Sequence, residues 1–370
     1  MIEFTYLESL CLYCIITAMA IMWIYFANNV TSLAQQHLTL ACAYLTITIP
    51  AAIRYNVGID QRAYIGLYEF FSKFSSVEEA LKWHTVERTF AYGCVISKEL
   101  FNSPVPLFAF YAIFTHLLIL LGIWNFKRYI NPVAAMFIYM TGFYWRTYNL
   151  FRQSLAIAII FYAVKWIDEK KYFRFIVACL IATMFHKSSI VAILGIPYFR
   201  RKKINIIDIL LPALIVILIR PLSQLLFSIN LLENYSLNYK VNFLGIEAYL
   251  RPGTVLQVGM LTVFLIYSRR INETIKNDFI YTLCYRSMLM AFISYLLMFV
   301  LDAGVRILLY FSTFNIFGIA ALYCDSSYEV RKGEISKSGF IMVLYGLWIF
   351  YSMVEADSYG IFPYILWKFW

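Results

Sequence analysis

The chain is short of charge. Of its 370 residues, 14% are Asp, Glu, Lys or Arg, where a soluble domain carries about 25%. Together with 62% hydrophobic residues and a mean hydropathy of +0.70, that scarcity excludes an ordinary soluble domain. Period-two alternation is also lacking, which excludes an outer-membrane β-barrel. There is no internal repeat, no low-complexity stretch and no stretch polar enough to fold apart. No basic flank precedes the first apolar run. Glu3 and Glu8 stand where a signal peptide has Lys or Arg, so an uncleaved first span with an outside N-terminus is expected. The seven cysteines are scattered. Cys11 and Cys14 have CxxC spacing, but they lie inside the first run with no second pair and no His nearby. Neither a metal nor a disulfide is expected from them.

Apolar runs of the length needed to cross a bilayer, about 20 helical residues, recur along the chain. In lipid the backbone must bond within its own segment, so these runs are helices. The expected fold is an all-α polytopic membrane protein, a single integral membrane domain over 1–370 with about 12 crossings. They run about 5–27, 36–53, 104–126, 131–146, 149–167, 172–185, 188–199, 206–227, 253–268, 279–301, 305–324 and 339–353.

The formal net charge of +10 is no sign of nucleic acid. Much of it sits in short blocks between runs: Lys127-Arg128, Lys170-Lys171, Arg200 to Lys203, Arg269-Arg270 and Arg331-Lys332. That is the pattern of cytoplasmic loops beside anionic lipid. With those blocks inside, two larger loops fall outside, about 54–103 and 228–252. The segment 172–199 must leave the cytoplasm and return within 28 residues. A short helical hairpin or broken helix, turning near His186 to Ser189, is expected there. Trp367, Phe369 and Trp370 in the tail suit the interface.

Unusual polar residues then gather on the outer side. An ionisable group at mid-membrane costs roughly 2.5–3.5 kcal/mol on insertion scales, so such residues face a partner or a cavity. Asn149, Arg152 and Gln153 have the spacing of one helical face. The Arg152 fork matches phosphate oxygens, unless it pairs with an acid such as Asp302. His186, followed by Lys187 and two serines, is a base or a hydrogen-bond donor, or simply holds the turn. Arg54 is expected at the membrane surface, with Asp60 and Tyr64 four apart beyond Gly58. Glu87 opens an amphipathic stretch to Phe101 that suits the interface. Asp302 to Arg306 reads as a tight outer turn, and Tyr310 lies one helical turn further on.

The set resembles the EpsG family of bacterial polysaccharide polymerases, related in role to the Wzy O-antigen polymerases. The resemblance runs from about residue 40 to the C-terminus. It is carried by Arg54, Val57, Gly58 and Asp60 with Tyr64; by Glu87; by Arg152, Gln153 and Ala156; by Phe185 to Ser188; by Arg306 and Tyr310; and by Pro363-Tyr364. Thr89 departs from it, since a Gly is more usual there. The resemblance implies a glycosyltransferase of the bacterial plasma membrane. It would join undecaprenyl-diphosphate-linked oligosaccharide units at the outer leaflet, alongside a flippase and a chain-length regulator. Arg152 and Arg306, with help from Arg54, would take the diphosphate. His186 or Glu87 would be the base. Asp60, Tyr64, Asn149, Gln153, Tyr310 and Tyr364 would bind substrate. No cofactor and no metal is implied. The residues alone also allow a membrane glycosyltransferase or ligase using another polyprenyl-linked sugar, or a flippase, although a flippase would line both halves of its path with charge.

The topology is testable. Cytoplasm-active reporters fused after Arg128, Lys171, Lys203 or Arg270 are expected to work, and one at the C-terminus to fail. An active C-terminal fusion overturns the orientation.

Overall fold

The computed structural model describes residues 2–74, 76–82, 86–200, 205–208, 210, 214, 278–297, 309–321, 337–356 and 359–367. The described residues are overwhelmingly helical and fall into two compact units, 1–193 with 340–370, and 194–339. The outer loop expected at 228–252, Asp302 and Arg306 lie outside the described residues.

The first unit opens with two long helices, α1 (Tyr6–Asn29) and α2 (Leu33–Ile53). Thr5 and Glu8 close a reciprocal capping box at the start of α1, which satisfies two N–H groups the helix leaves free. With α6 (Val105–Asn125), these are the three helices among the described residues long and apolar enough to cross a membrane. Their burial differs: 28% of the most apolar window is buried in α1 and in α2, against 56% in α6. Apolar side chains left outside a protein core are stable only against lipid, so α1 and α2 are peripheral and α6 is central. α6 packs on α2 and on α8 (Phe151–Ala163), and α8 packs on α10 (Tyr172–Phe185).

The expected crossing at 131–146 is modified. Its helix, α7 (Pro132–Gly142), has 11 residues, about 16 Å at 1.5 Å per residue. A 3₁₀ turn, Trp145–Tyr148, separates it from α8. Such a break is tolerated at depth only where protein surrounds it. Tyr144, Trp145 and Tyr148 are indeed fully buried. The Tyr144 hydroxyl donates to the Ile47 carbonyl and lies 3.0 Å from the Tyr148 hydroxyl. The expected break near His186 is present. α10 ends at Phe185, His186 is extended, and a 3₁₀ stretch follows over Lys187–Leu194. α11 (Gly195–Phe199) begins the second unit.

The segment 54–103, expected to be an outer loop, is built of helices. α3 (Ile59–Phe71), α4 (Val77–Ala80) and α5 (Arg88–Phe101) fold over α6. Tyr64, Tyr68, Phe71, Phe90, Cys94, Phe108, Tyr111 and Phe151 share one apolar core beneath them.

The C-terminal segment straps this end together. β1 (Ile2–Glu3) pairs antiparallel with β2 (Ile365–Leu366), and Arg54 bridges to Leu366. Both termini are therefore at one end of the unit, beside the exit of α2. Tyr55, Gly58 and Ile59 donate their N–H groups to the carbonyls of Ile365, Gly360 and Tyr359. Gly58 has φ +107° and a Cβ there would meet the Tyr148 carbonyl at 2.8 Å, so only glycine fits this crossing.

In the second unit Arg286 and Asp208 are both fully buried and pair at 2.8 Å. Tyr310 is also buried in this unit.

Removal of residues 359–370 deletes β2 and every bond from it to the 54–59 turn. Thermal unfolding in detergent should shift downward by several degrees. Tyr364→Phe, which loses one hydrogen bond to the Pro50 carbonyl, should cost only about 1 kcal/mol. Equal transitions for the truncated and full chains would show that the strap contributes nothing.

Candidate functional site

Three segments meet at one carboxylate. Glu87 is the N-cap residue of α5, yet its side chain makes no cap bond. Instead one oxygen, Oε2, accepts from Nη1 of Arg152, the second residue of α8. The other, Oε1, lies 3.3 Å from Nδ1 of His186, just past α10, and 3.3 Å from the Lys187 N–H. The His186 contact is close but poorly aligned for a hydrogen bond. Thr89, one turn along, donates its hydroxyl to the Met184 carbonyl and so clamps α5 to α10.

Burial is partial. The side chains of Arg152, Glu87 and His186 are 16%, 10% and 13% exposed, so a ligand can reach all three. Two neighbouring rings pack on the guanidinium: its carbon lies 5.1 Å from the Tyr64 ring centre and 4.9 Å from that of Phe90. Tyr64 and Phe90 in turn pack on Phe151. The N-termini of α5 and α8 both open at the cluster, and helix N-termini favour anions.

Glu87 lies outside the spans. Burial pushes its pKa up, but the close His186 contact and the Arg152 charge outweigh that and hold it down at about 2. Its folded value is below the ordinary 4.5. Its stabilising contribution is therefore complete above that ordinary value and is lost as pH falls toward 2. Near neutrality Glu87 is a carboxylate in contact with a cation. It can accept or orient, and it is a poor proton acceptor.

The remaining expected residues are placed differently. Asn149 is not on a helical stripe with Arg152 and Gln153, because α8 starts only at Phe151. Its amide accepts from the Asp60 N–H at 3.2 Å and donates to the Tyr359 carbonyl at 2.8 Å. It joins α3, the strap and the entry to α8, and its polar atoms are spent on backbone. Gln153 is buried on α8. Asp60 and Tyr64 do share α3, but Tyr64 is turned to the Arg152 guanidinium. Asp60 sits in the first turn, where an acid suits the helix N-terminus.

Arg54 is not at the surface. It is 2% exposed, stacked 4.5 Å over the Tyr148 ring, and donates to the carbonyls of Ala51 and Tyr148. The reason is the strap: Leu366 and Tyr364 cover the end of α2 where an interfacial Arg would otherwise reach water. Tyr364 likewise spends its hydroxyl on the Pro50 carbonyl, 2.7 Å away. Among the described residues the acid paired with Arg152 is Glu87; Asp302, the partner considered from the sequence, lies outside them.

Several residues had no signal in the sequence. Phe90 and Tyr111 wall the cluster, but aromatics make up 19% of this chain and two more stand out from nothing. His116 was hidden inside the run 104–126. It is fully buried, and its Nδ1 lies 2.8 Å from the Tyr139 hydroxyl. Among the described residues no group of three metal-binding side chains occurs.

No curated protein and no solved structure matches this chain. A family model does match, over residues 37–366, a span that takes in Glu87, Arg152 and His186, and the chain therefore belongs to the EpsG family.

Proposed function

We propose that this chain is a polysaccharide polymerase of the bacterial plasma membrane. It joins polyprenyl-diphosphate-linked oligosaccharide units at the outer leaflet, with undecaprenyl as the carrier lipid. The family is one of membrane proteins of polysaccharide biosynthesis acting on lipid-linked sugars. Within that frame, the observation that carries the reading is the convergence of Glu87, Arg152 and His186, all partly exposed, where the N-termini of α5 and α8 meet. About 12 crossings, an outside site and outside termini complete the reading. A flippase delivers the units, and a chain-length regulator acts on the product.

The chemistry balances with the chain's own groups. The bond between the anomeric carbon of the growing chain and its diphosphate oxygen breaks. A hydroxyl of the incoming unit forms a new bond to that carbon. The leaving polyprenyl diphosphate keeps the electron pair, and negative charge grows on it in the transition state. A fixed planar guanidinium with two aromatic walls is suited to meet that charge without rearranging. The hydroxyl proton passes to His186. With Nδ1–H turned to Glu87, Nε2 is the basic nitrogen, and the carboxylate stabilises the imidazolium that forms. Glu87 is thus a positioning residue and His186 the base, which separates two candidates that the residues alone left level. Asp60 and Gln153 are retained as sugar contacts, and Arg306 as a second cation. Arg54, Asn149 and Tyr364 are assigned to the scaffold.

Purified enzyme with lipid-linked repeat units tests these roles. Arg152→Lys keeps the charge and loses the fork, and kcat should fall by about 10²-fold. Wild-type polymer from Lys would leave Arg152 only a charge or a prop. His186→Ala should lose about 10²–10⁴-fold and accumulate single units on lipid. His186→Gln can donate a hydrogen bond but cannot take a proton, so near-normal polymer from Gln removes His186 as base.

A further inference from the structure

We infer that Glu87 occupies, in the empty site, the place on Arg152 that a phosphate oxygen of the substrate takes, and that substrate binding drives the carboxylate off the guanidinium. This rests on the reading of Arg152 as the diphosphate contact.

The argument starts from which partner can move. Arg152 is the more constrained: its guanidinium packs on the neighbouring rings of Tyr64 and Phe90, and its stem leaves the first turn of α8. Glu87 can move. It stands at the edge of α5 rather than within it, and its contact with His186 is loose. A second resting place is also beside it. The N-cap role of Glu87 goes unused by its side chain, although a carboxylate there is a favoured partner for the first free N–H groups of a helix.

Charge then decides the exchange. The charges of Glu87 and Arg152 cancel in the pair, so the paired guanidinium presents little net charge to a diphosphate. A carboxylate and a phosphate oxygen both fit one guanidinium fork, but two anions cannot share it without strong repulsion. The incoming group carries more negative charge than Glu87 and so displaces it. The freed oxygen turns to the N-terminus of α5, and Oε1 stays toward His186. Substrate arrival thereby releases the guanidinium for the leaving group and leaves the carboxylate to the base alone.

The test measures binding apart from turnover. Inorganic diphosphate and farnesyl diphosphate in detergent micelles are titrated into purified full-length protein. Glu87→Gln removes the competing charge and should bind the probes about tenfold more tightly than wild type. Its turnover with lipid-linked units should fall, because the base has lost its carboxylate: KM and kcat drop together. Glu87→Asp keeps the charge on a shorter arm, and its affinity should lie between the two. That variant decides the matter if Gln does not fold. Tightening with both probes assigns the exchange to the diphosphate itself. Tightening with farnesyl diphosphate alone assigns it to the lipid-borne headgroup. Unchanged or weaker binding by Gln and Asp variants overturns the exchange. The underlying reading fails separately, if Arg152→Met leaves the affinity of wild type for both probes intact.

Discussion

The Glu87 carboxylate is the constraint on which the site depends. It contacts Arg152 from α8 and His186 from beyond α10 while it stands at the head of α5. Three segments far apart in sequence are held by one charged group. Removing one partner of a well-buried ion pair costs about 3–5 kcal/mol, because the other is stranded. Here the three side chains are 10–16% exposed, so water softens that cost. The pair is accordingly strong enough to define the pocket and weak enough to be exchanged for a ligand. A fully buried pair such as Arg286–Asp208 in the second unit, at 0% exposure on both sides, has no such freedom and reads as structural.

A second cation shows what happens when no acid is supplied. Arg54 is nearly as deep as any residue in the first unit, and no carboxylate accompanies it among the described residues. Its charge is met by the Ala51 and Tyr148 carbonyls and by the Tyr148 ring. Such an arrangement is stable only while the cover stays on, since a buried guanidinium gains from water whatever it lacks in partners. The C-terminal strap is that cover. It bonds the 54–59 turn by backbone and reaches Asn149 through Tyr359. Asn149 lies three residues before Arg152, so the end of the chain sets where the guanidinium stands.

Much of this was legible in the sequence, and the parts that were not share one cause. The break at His186 could be read, because 28 residues between two basic blocks are too few for two crossings. Arg152 and His186 could be singled out because ionisable groups in apolar surroundings are costly, and Glu87 because it opens an amphipathic stretch and carries part of the family resemblance. Their mutual contact could not be read. The separations from Glu87 to Arg152 and to Lys187 are 65 and 100 residues, and nothing local encodes such distances. Arg54, Asn149 and Tyr364 looked like ligand contacts for the same reason that Arg152 and His186 did. They are polar residues in apolar context. Whether such a group meets a ligand or a backbone carbonyl depends on what covers it.

The sequence by itself determined the class of the protein, its helical content and the short list of residues able to do chemistry. These follow from composition and spacing, which the bilayer reads directly: a run is either apolar enough to cross or not. Only the tertiary structure decided which acid pairs with Arg152, which of two candidates is held as an anion, and which cation is buried under the strap. Those outcomes depend on distances of a few ångströms between segments remote in the chain. Coulomb and desolvation energies change by several kcal/mol over such distances, and the order of residues alone does not carry them.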